Sequence, residues 1–479
     1  MIDKEIEYNM RTHNIPGMAF SLVDRNGVVY SKGYGTLDVG DKSELINEST
    51  NFHLGSVSKV FVSMGILKLQ EEGYIDIEQP VVDYLPWFST KDALLSNEIK
   101  IEHLLNHSSG LPGRLNVHEI SNLESREIIN KIKDKLNNVT LVGKPGTVYE
   151  YTNMNTDLLQ LVIEEVTGKS FTQYMEETFF TPLNMNRTGY FTFDNSHLSN
   201  TAMGHRYHWG KLKPYKEELV YATSASAGLS SNVDDLSKFL GLLLNDGQGP
   251  NGKLISRSSI DQMFKPNQYG IGYNLYVYPH NISMDGGLPG FTSTIVLSSD
   301  KTFGLILLAN SKQDITYHSG FNLYRIVNGD DSPTKLLEKD FPKIHFLVQI
   351  ILFIVIIFII LILCIVGLTI FHLFKGTKEI SFRKPSFKKI GMISFILIIY
   401  LGIMYLIYVQ LPVYIGVPAL QHFKMEPDTV VVLYILSIVY SSFTFLLCGK
   451  ILFVQRKNSI QSSTGELSLP LNKSEPFHK

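Results

Sequence analysis

Cysteine is almost missing from this chain. Of 479 residues two are cysteine, Cys364 and Cys448, and both lie in long apolar runs toward the C-terminal end. The first 340 residues therefore contain no disulfide and must be held by their core; cysteine usage leaves the redox compartment open. Charge of one sign is lacking too. Lys and Arg number 43 against 45 Asp and Glu, a formal net charge of -2, which gives no general argument for a nucleic-acid partner. Metal-ligand clusters are scarce. His103 and His107 stand at i, i+4 but flank Leu104 and Leu105 with no acidic partner as in a zinc-protease helix, and His205 and His208 flank Arg206 and Tyr207. Neither a metal site nor a cofactor is expected. The first residues, Met-Ile-Asp-Lys-Glu-Ile-Glu-Tyr-Asn-Met, lack the charged-then-apolar pattern of a secretory signal.

Residues 1–340 read as a globular unit. Two short apolar runs flank Asp24-Arg-Asn-Gly27, a hairpin signal. A helical pattern follows from His53 to Gly73, a short helix over 101–107, a more polar helix over about 119–137, and a loop carrying Tyr149, Tyr151 and Asn153. That loop leads into a helix over about 155–167. Helices are expected near 233–245 and 314–327, with strands near 291–298 and 303–309. Strands at both ends and helices between them indicate one antiparallel sheet built from both ends of the domain, with a helical insertion.

At about residue 344 the composition changes. Runs 346–371, 390–413 and 430–454 are apolar, and none has Lys, Arg, Asp or Glu in its middle. Each meets the ~20 residues needed to cross a ~30 Å hydrocarbon core, so three transmembrane helices are expected. The first connecting loop carries Lys375, Lys378, Arg383, Lys384, Lys388 and Lys389 against Glu379. The second carries Lys424 beside Glu426 and Asp428, and the tail begins with Arg456 and Lys457. Positive residues mark the cytoplasmic side, which puts the large domain outside the cell. Export of such a domain needs a signal, so the expectation is that the true start lies upstream of Met1. The alternative is a cytoplasmic domain. The expected division is 1–330 large globular domain, 331–345 linker, 346–454 membrane region and 455–479 cytoplasmic tail.

The chemistry centres on Ser56-Val-Ser-Lys59. Residues three apart on a helix share a face, so the Lys59 amine can meet the Ser56 hydroxyl and accept its proton. The same spacing occurs at Ser298/Lys301, Ser332/Lys335 and Ser386/Lys389, so alone it equally describes an ordinary helix start. Tyr151-Thr-Asn153 is the only Tyr-x-Asn in residues 1–340. A phenol beside a lysine can be lowered in pKa and act as base and acid, while an asparagine amide orients lysine and substrate; the plainer reading is a half-buried loop aromatic. Gly286-Gly287 would let a substrate approach the backbone, and a free N–H there could form half of an oxyanion hole with the N–H of Ser56. Otherwise these glycines make a tight turn.

Together these stretches resemble the serine β-lactamase and penicillin-binding-protein superfamily, in its class C-related branch. The resemblance rests on Ser56-Val-Ser-Lys59, Tyr151-Thr-Asn153 and Gly286-Gly-Leu-Pro-Gly-Phe-Thr-Ser293. Ile101-Glu-His-Leu-Leu-Asn-His-Ser-Ser-Gly-Leu-Pro112, Lys144-Pro-Gly146, Pro182-Leu-Asn-Met185 and Ser224-Ala-Ser-Ala-Gly-Leu-Ser-Ser231 support it. It covers nearly all of residues 1–330, and the three spans resemble a membrane-anchored Gram-positive subgroup. It implies an α+β fold, an α/β sandwich, and a serine hydrolase of D-aminoacyl peptidase, carboxypeptidase or esterase type. Ser56 would be acylated, with Lys59 helping to deprotonate it and Tyr151 relaying protons. Asn153 would contact substrate, and the N–H groups of Ser56 and Gly287 would hold the oxyanion, with Gly286 beside them. Peptidoglycan or D-amino-acid peptides would be the partners besides the membrane.

One position departs from that pattern. Where the superfamily usually has Lys or His, any residue, then Gly, this chain has Met284-Asp285-Gly286. A thioether offers no charged donor, and Asp285 would repel a carboxylate. The expectation is amide or ester chemistry on substrates without that carboxylate. The alternative is a catalytically weak module that binds or senses cell-wall material. A transporter with a soluble appendage finds no support in the spans, which carry no central ionisable residue.

Overall fold

The computed structural model describes the chain apart from residues 41–42, 114, 116–124, 191–199, 209–210, 217–223, 313–314, 331–342, 383, 411–426 and 457–479. The expected linker and cytoplasmic tail thus lie almost wholly outside the described residues. The chain divides into two compact units, one built chiefly of Met1–Leu347 and one carrying the apolar helices.

In the first unit, strands β1 (Gly17–Asp24), β2 (Gly27–Gly35), β3 (Tyr276–Val277), β4 (Asn281–Leu288), β5 (Phe291–Ser298) and β6 (Phe303–Ala309) form one sheet in the order β3-β4-β5-β6-β1-β2. Every pairing in it is antiparallel. The two ends of the domain meet where β6 pairs with β1, Met18 opposite Ala309 through Asp24 opposite Phe303. The β1–β2 turn forms because the Asp24 carboxylate accepts the N–H groups of Asn26 and Gly27, and Gly27 adopts φ 125°.

Both faces of the sheet are covered, which is why β1 and β5 read as nearly unbroken apolar runs. Met18, Phe20, Leu22, Leu305 and Leu307 pack with Ile6 of helix α1 (Ile2–His13) and Leu323 of a C-terminal helix described below. Ala19, Val23, Ile306 and Leu308 face the larger core on the other side. That core holds α2 (Ser58–Glu71), α3 (Asn153–Thr167) and α4 (Val233–Leu244). The helix that closes the first face is α5 (Ile315–Val327). The result is the expected α+β sandwich, with helices inserted between β2 and β3.

Local limits differ from the sequence reading where capping decides them. The α3 helix begins at Asn153, two residues early, because the Thr152 hydroxyl accepts the N–H of Met154. The polar helix is Ser125–Asn137; most of its expected start lies outside the described residues. Helix α2 is buried almost all round, from Ser58 to Leu67 and again at Leu69. Its apolar spacing therefore marks a central helix rather than a surface one.

The second unit contains α6 (Lys343–Phe374), α7 (Phe387–Tyr405, continued by a wider turn at Leu406–Gln410) and α8 (Pro427–Phe453). Within them Gln349–Phe374, Phe387–Gln410 and Val431–Phe453 are long and apolar enough to cross a membrane. Large side chains such as Phe353, Leu363 and Ile398 point outward, each more than 60% exposed, as lipid-facing residues would. Phe358 packs edge-on against Tyr440 and Phe443, and Tyr400 stacks on Tyr440 and hydrogen-bonds Ser441. Lys378–Ile380, after α6, pairs with Val454–Arg456, after α8.

Phe61 on α2 stacks on Phe239 of α4 with centroids 4.0 Å apart, and both are fully buried. Phe61→Ala should cost about 3–5 kcal/mol, read as a lower denaturation midpoint, with Phe61→Leu costing less. A midpoint unchanged in Phe61→Ala would contradict this packing.

Candidate active site

Ser56 does not sit in the α-helix itself. Residues Gly55–Val57 form a 3₁₀ turn that runs directly into α2 at Ser58. In a 3₁₀ turn side chains i and i+3 lie almost above one another, and Lys59 reaches back to Ser56: Nζ donates to Oγ over 3.1 Å. A second bond of 2.6 Å, to the carbonyl of Ser226, holds the amine from the far side. Lys59 is fully buried. Burial pushes its pKa well below the usual lysine range, against the pull of Asp157, whose charge favours the ammonium. The same burial pushes the Asp157 carboxyl upward, opposed by the Ser226 hydroxyl and by Lys59. Both groups are drawn toward their neutral forms.

Tyr151 comes from the loop before α3, and its phenol donates to Ser56 Oγ over 2.8 Å. The Lys59 ammonium position is 5.1 Å from the centre of its ring. The sequence reading allowed a lowered phenol pKa. The structure corrects this: burial raises it, only partly offset by the hydrogen bond with Ser56, and Asp157 adds to the rise. The phenol is therefore a proton donor at rest.

The Tyr151 loop has its own support. The His107 ring lies 4.5 Å from the Tyr151 ring, and His107 Nδ1 pairs with the Asn155 amide over 3.0 Å. Ser109 donates to Asn155 Oδ1, and the Glu150 N–H donates to the His107 carbonyl. Burial lowers the His107 pKa to about 3, so it is neutral at physiological pH. This explains why Asn106-His-Ser-Ser109 accompanies the tyrosine. Its histidine is a prop for Tyr151, and His103 accepts instead from the N–H of Lys100.

Gly286 and Gly287 lie within β4, not in a tight turn; the two-residue turn is Pro289-Gly290, between Leu288 and Phe291. Their smallness is used against the Ser56 turn. A side-chain carbon at Gly286 would fall 1.9 Å from Leu54 O, and one at Gly55, which has φ 55°, would fall 2.8 Å from Gly287 N. Strand and turn thus touch backbone to backbone, with Gly287 against Gly55, the residue before Ser56. Ser293 locks the contact by donating to Leu54 O over 2.6 Å. On the other side Ser58 Oγ donates to Gly55 O and accepts the N–H of Leu229.

Of the residues singled out from sequence, Ser56, Lys59 and Tyr151 are joined by hydrogen bonds, and Gly286 and Gly287 abut their turn. Asn153 opens α3 two residues beyond Tyr151 and is part-buried. Met284 is 2% exposed and belongs to the large core, so that position contributes no charge. Sequence reasoning missed Asp157 and the Ser226 carbonyl. Asp157 did leave a signal, as a lone acid amid Leu158, Leu159, Leu161 and Val162. Among the described residues, no group of three or more His, Cys, Asp or Glu comes together that could hold a metal ion.

Comparison with known proteins fits this geometry. The Beta-lactamase family model matches residues 2–324. Protein flp of Staphylococcus aureus (strain N315) is 30% identical over 326 residues, covering 64% of this chain and 62% of that protein. The chain thus spans rather less than two thirds of flp. The putative penicillin-binding protein PbpX of Bacillus subtilis (strain 168) is 29% identical over 341 residues, 68% of this chain and 80% of PbpX. Among solved structures, an octameric penicillin-binding protein homologue from Pyrococcus abyssi superposes with a TM-score of 0.59 at 25% identity, covering 69% of this chain and 77% of that one. A class C beta-lactamase shares the fold with a TM-score of 0.59 at 19% identity, over 69% and 96%. The chain belongs to the β-lactamase family, within the serine β-lactamase and penicillin-binding-protein superfamily of hydrolases.

Proposed function

We propose that this protein is a membrane-anchored serine hydrolase that forms an acyl-enzyme on Ser56 from amide or ester substrates, cell-wall-related peptides among them. The observation that carries the reading is the convergence of an amine and a phenol on one serine oxygen. Lys59, kept toward its neutral form, accepts the Ser56 proton as Oγ attacks the carbonyl carbon. Tyr151 gives its proton to the departing amine or alcohol. In deacylation the Tyr151 phenolate takes a proton from water, the resulting hydroxide attacks the ester, and Lys59 returns its proton to Ser56. Every proton is accounted for without an external acid. The N–H groups of Ser56 and Gly287 hold the oxyanion, a contribution of ~2.7–4 kcal/mol per donor in the transition state, and Asn153 contacts the substrate.

We place the catalytic domain, residues 1–330, outside the cell, on three membrane passes. Pairing of Lys378–Ile380 with Val454–Arg456 supports that topology, because an odd number of passes puts the first loop and the tail on the same side. Both ends are rich in Lys and Arg. The apolar Met284 favours a second reading, a weak module that binds cell-wall material without turning it over.

A fluorophosphonate probe should label the detergent-solubilised chain at Ser56, with the label lost in Ser56→Ala and slowed about 10²–10⁴-fold in Lys59→Met or Tyr151→Phe. Labelling that persists in Ser56→Ala would reject the nucleophile. Acylation without hydrolysis of nitrophenyl esters would favour the binding module. The labelling rate should also rise with pH through neutrality, because only the unprotonated Lys59 amine is competent. Lys59→Arg, which keeps its charge, should abolish both rate and rise. A rate independent of pH would contradict the assignment.

A further inference from the structure

A carboxyl that the reaction does not consume lies behind the lysine. Asp157 is the fifth residue of α3, past its first turn, so neither the Thr152 cap nor the helix dipole requires an acid there. It is 1% exposed, and neither of its carboxyl oxygens makes a hydrogen bond of ordinary length and angle. Burying a carboxyl in that state costs stability. Its neighbours Leu158, Leu159, Leu161 and Val162 all belong to the large core, and an apolar side chain at 157 would avoid the cost.

The position of the acid shows what offsets that cost. Residues 157 and 160 share a face of α3, and Gln160 Oε1 accepts the N–H of Ala225 over 3.2 Å. That face therefore packs on the short helix Ser224–Ala227, whose Ser226 carbonyl holds the Lys59 amine over 2.6 Å. At the start of α3, Asn155 pairs with the His107 ring that lies against Tyr151. The carboxyl is thus buried at the same corner as the amine, and each acts on the other electrostatically. The other titratable groups that act on this pair are His107 and Tyr151, and burial keeps both uncharged near neutral pH. Desolvation alone would leave Lys59 a weak base, because a fully buried amine can lose several orders of magnitude in proton affinity. A base works best when its proton affinity matches the ambient pH, and a buried negative charge restores part of it.

We propose that Asp157 is a positioning residue for the reaction: it touches no substrate and acts through Lys59, its buried carboxylate sustaining the basicity that removal of the Ser56 proton requires. This rests on the reading of Lys59 as the base, and two measurements keep the claims apart. In the full chain in detergent, labelled at the lysine ε-carbon, Asp157→Asn should lower the Lys59 titration midpoint by about 1–3 pH units, the span for one opposite charge at close range. The sign follows because the carboxylate stabilises the ammonium; without it the amine sheds its proton at lower pH. Fluorophosphonate labelling of Ser56 should then change in two directions. On the acid side the variant labels faster than the unsubstituted chain, because more of the amine is free. Above neutrality it labels more slowly, because a less basic amine accepts the serine proton less readily. A merely structural role would lower the rate at every pH and leave the midpoint in place. Asp157→Glu, which keeps the charge, should return the midpoint toward that of the unsubstituted chain. Where Asp157→Asn folds poorly, Asp157→Leu removes the charge without burying an amide and should give the same shift. A Lys59 midpoint that stays in place or rises in either charge-removing variant would overturn the proposal. The midpoint does not depend on acylation, so an unsubstituted chain that never labels would defeat the hydrolase reading while the titration still decided whether Asp157 tunes the amine.

Discussion

Everything at this site depends on one lysine held away from water. A lysine amine in solvent is protonated at neutral pH and cannot accept a proton from serine. Lys59 avoids that state because α2, on which it stands, is buried almost all round. Its amine is clamped between Ser56 Oγ and Ser226 O and has no solvent-exposed surface. Desolvation disfavours the charged form, and the neighbouring Asp157 carboxyl, buried as well, keeps the shift from running to completion. The same enclosure acts on Tyr151 in the opposite chemical sense, keeping its proton on. One environment thus favours the uncharged forms of an amine and a phenol on either side of a single hydroxyl.

The second constraint is steric. β4 lies against the Ser56 turn at backbone distance, and side chains at Gly55 or Gly286 would prevent it. Sheet and helices are brought together there by hydrogen bonds that cross the two layers, Ser293 to Leu54 and Leu229 to Ser58. The Ser56 turn is accordingly held on both sides, which is what a preorganised oxyanion site requires.

Much of this could be read from sequence because it is encoded locally. The β1–β2 hairpin follows from Asp24-Arg-Asn-Gly27, the Ser56–Lys59 contact from their spacing, and the three spans from unbroken apolar runs. The order of strands and helices also gave the antiparallel sheet joining both ends of the domain. What was not legible arises from tertiary packing. No local pattern says that Ser56 precedes the helix on a 3₁₀ turn, or that Gly286 and Gly287 sit in a strand rather than a turn. Neither could the sequence show that a carbonyl from Ser226 caps Lys59, 167 residues away. The direction of the Tyr151 shift was misjudged for the same reason: proximity to a lysine was visible, but burial of both was not.

The most direct measurement is the protonation state of Lys59 in the intact chain. In protein labelled at the lysine ε-carbon, the resonance that disappears in Lys59→Met identifies this residue. The account predicts that it titrates near neutral pH, well separated from the other lysines at about 10.4. A Lys59 resonance that titrates together with those solvent-exposed lysines would contradict the claim that burial makes this amine the base.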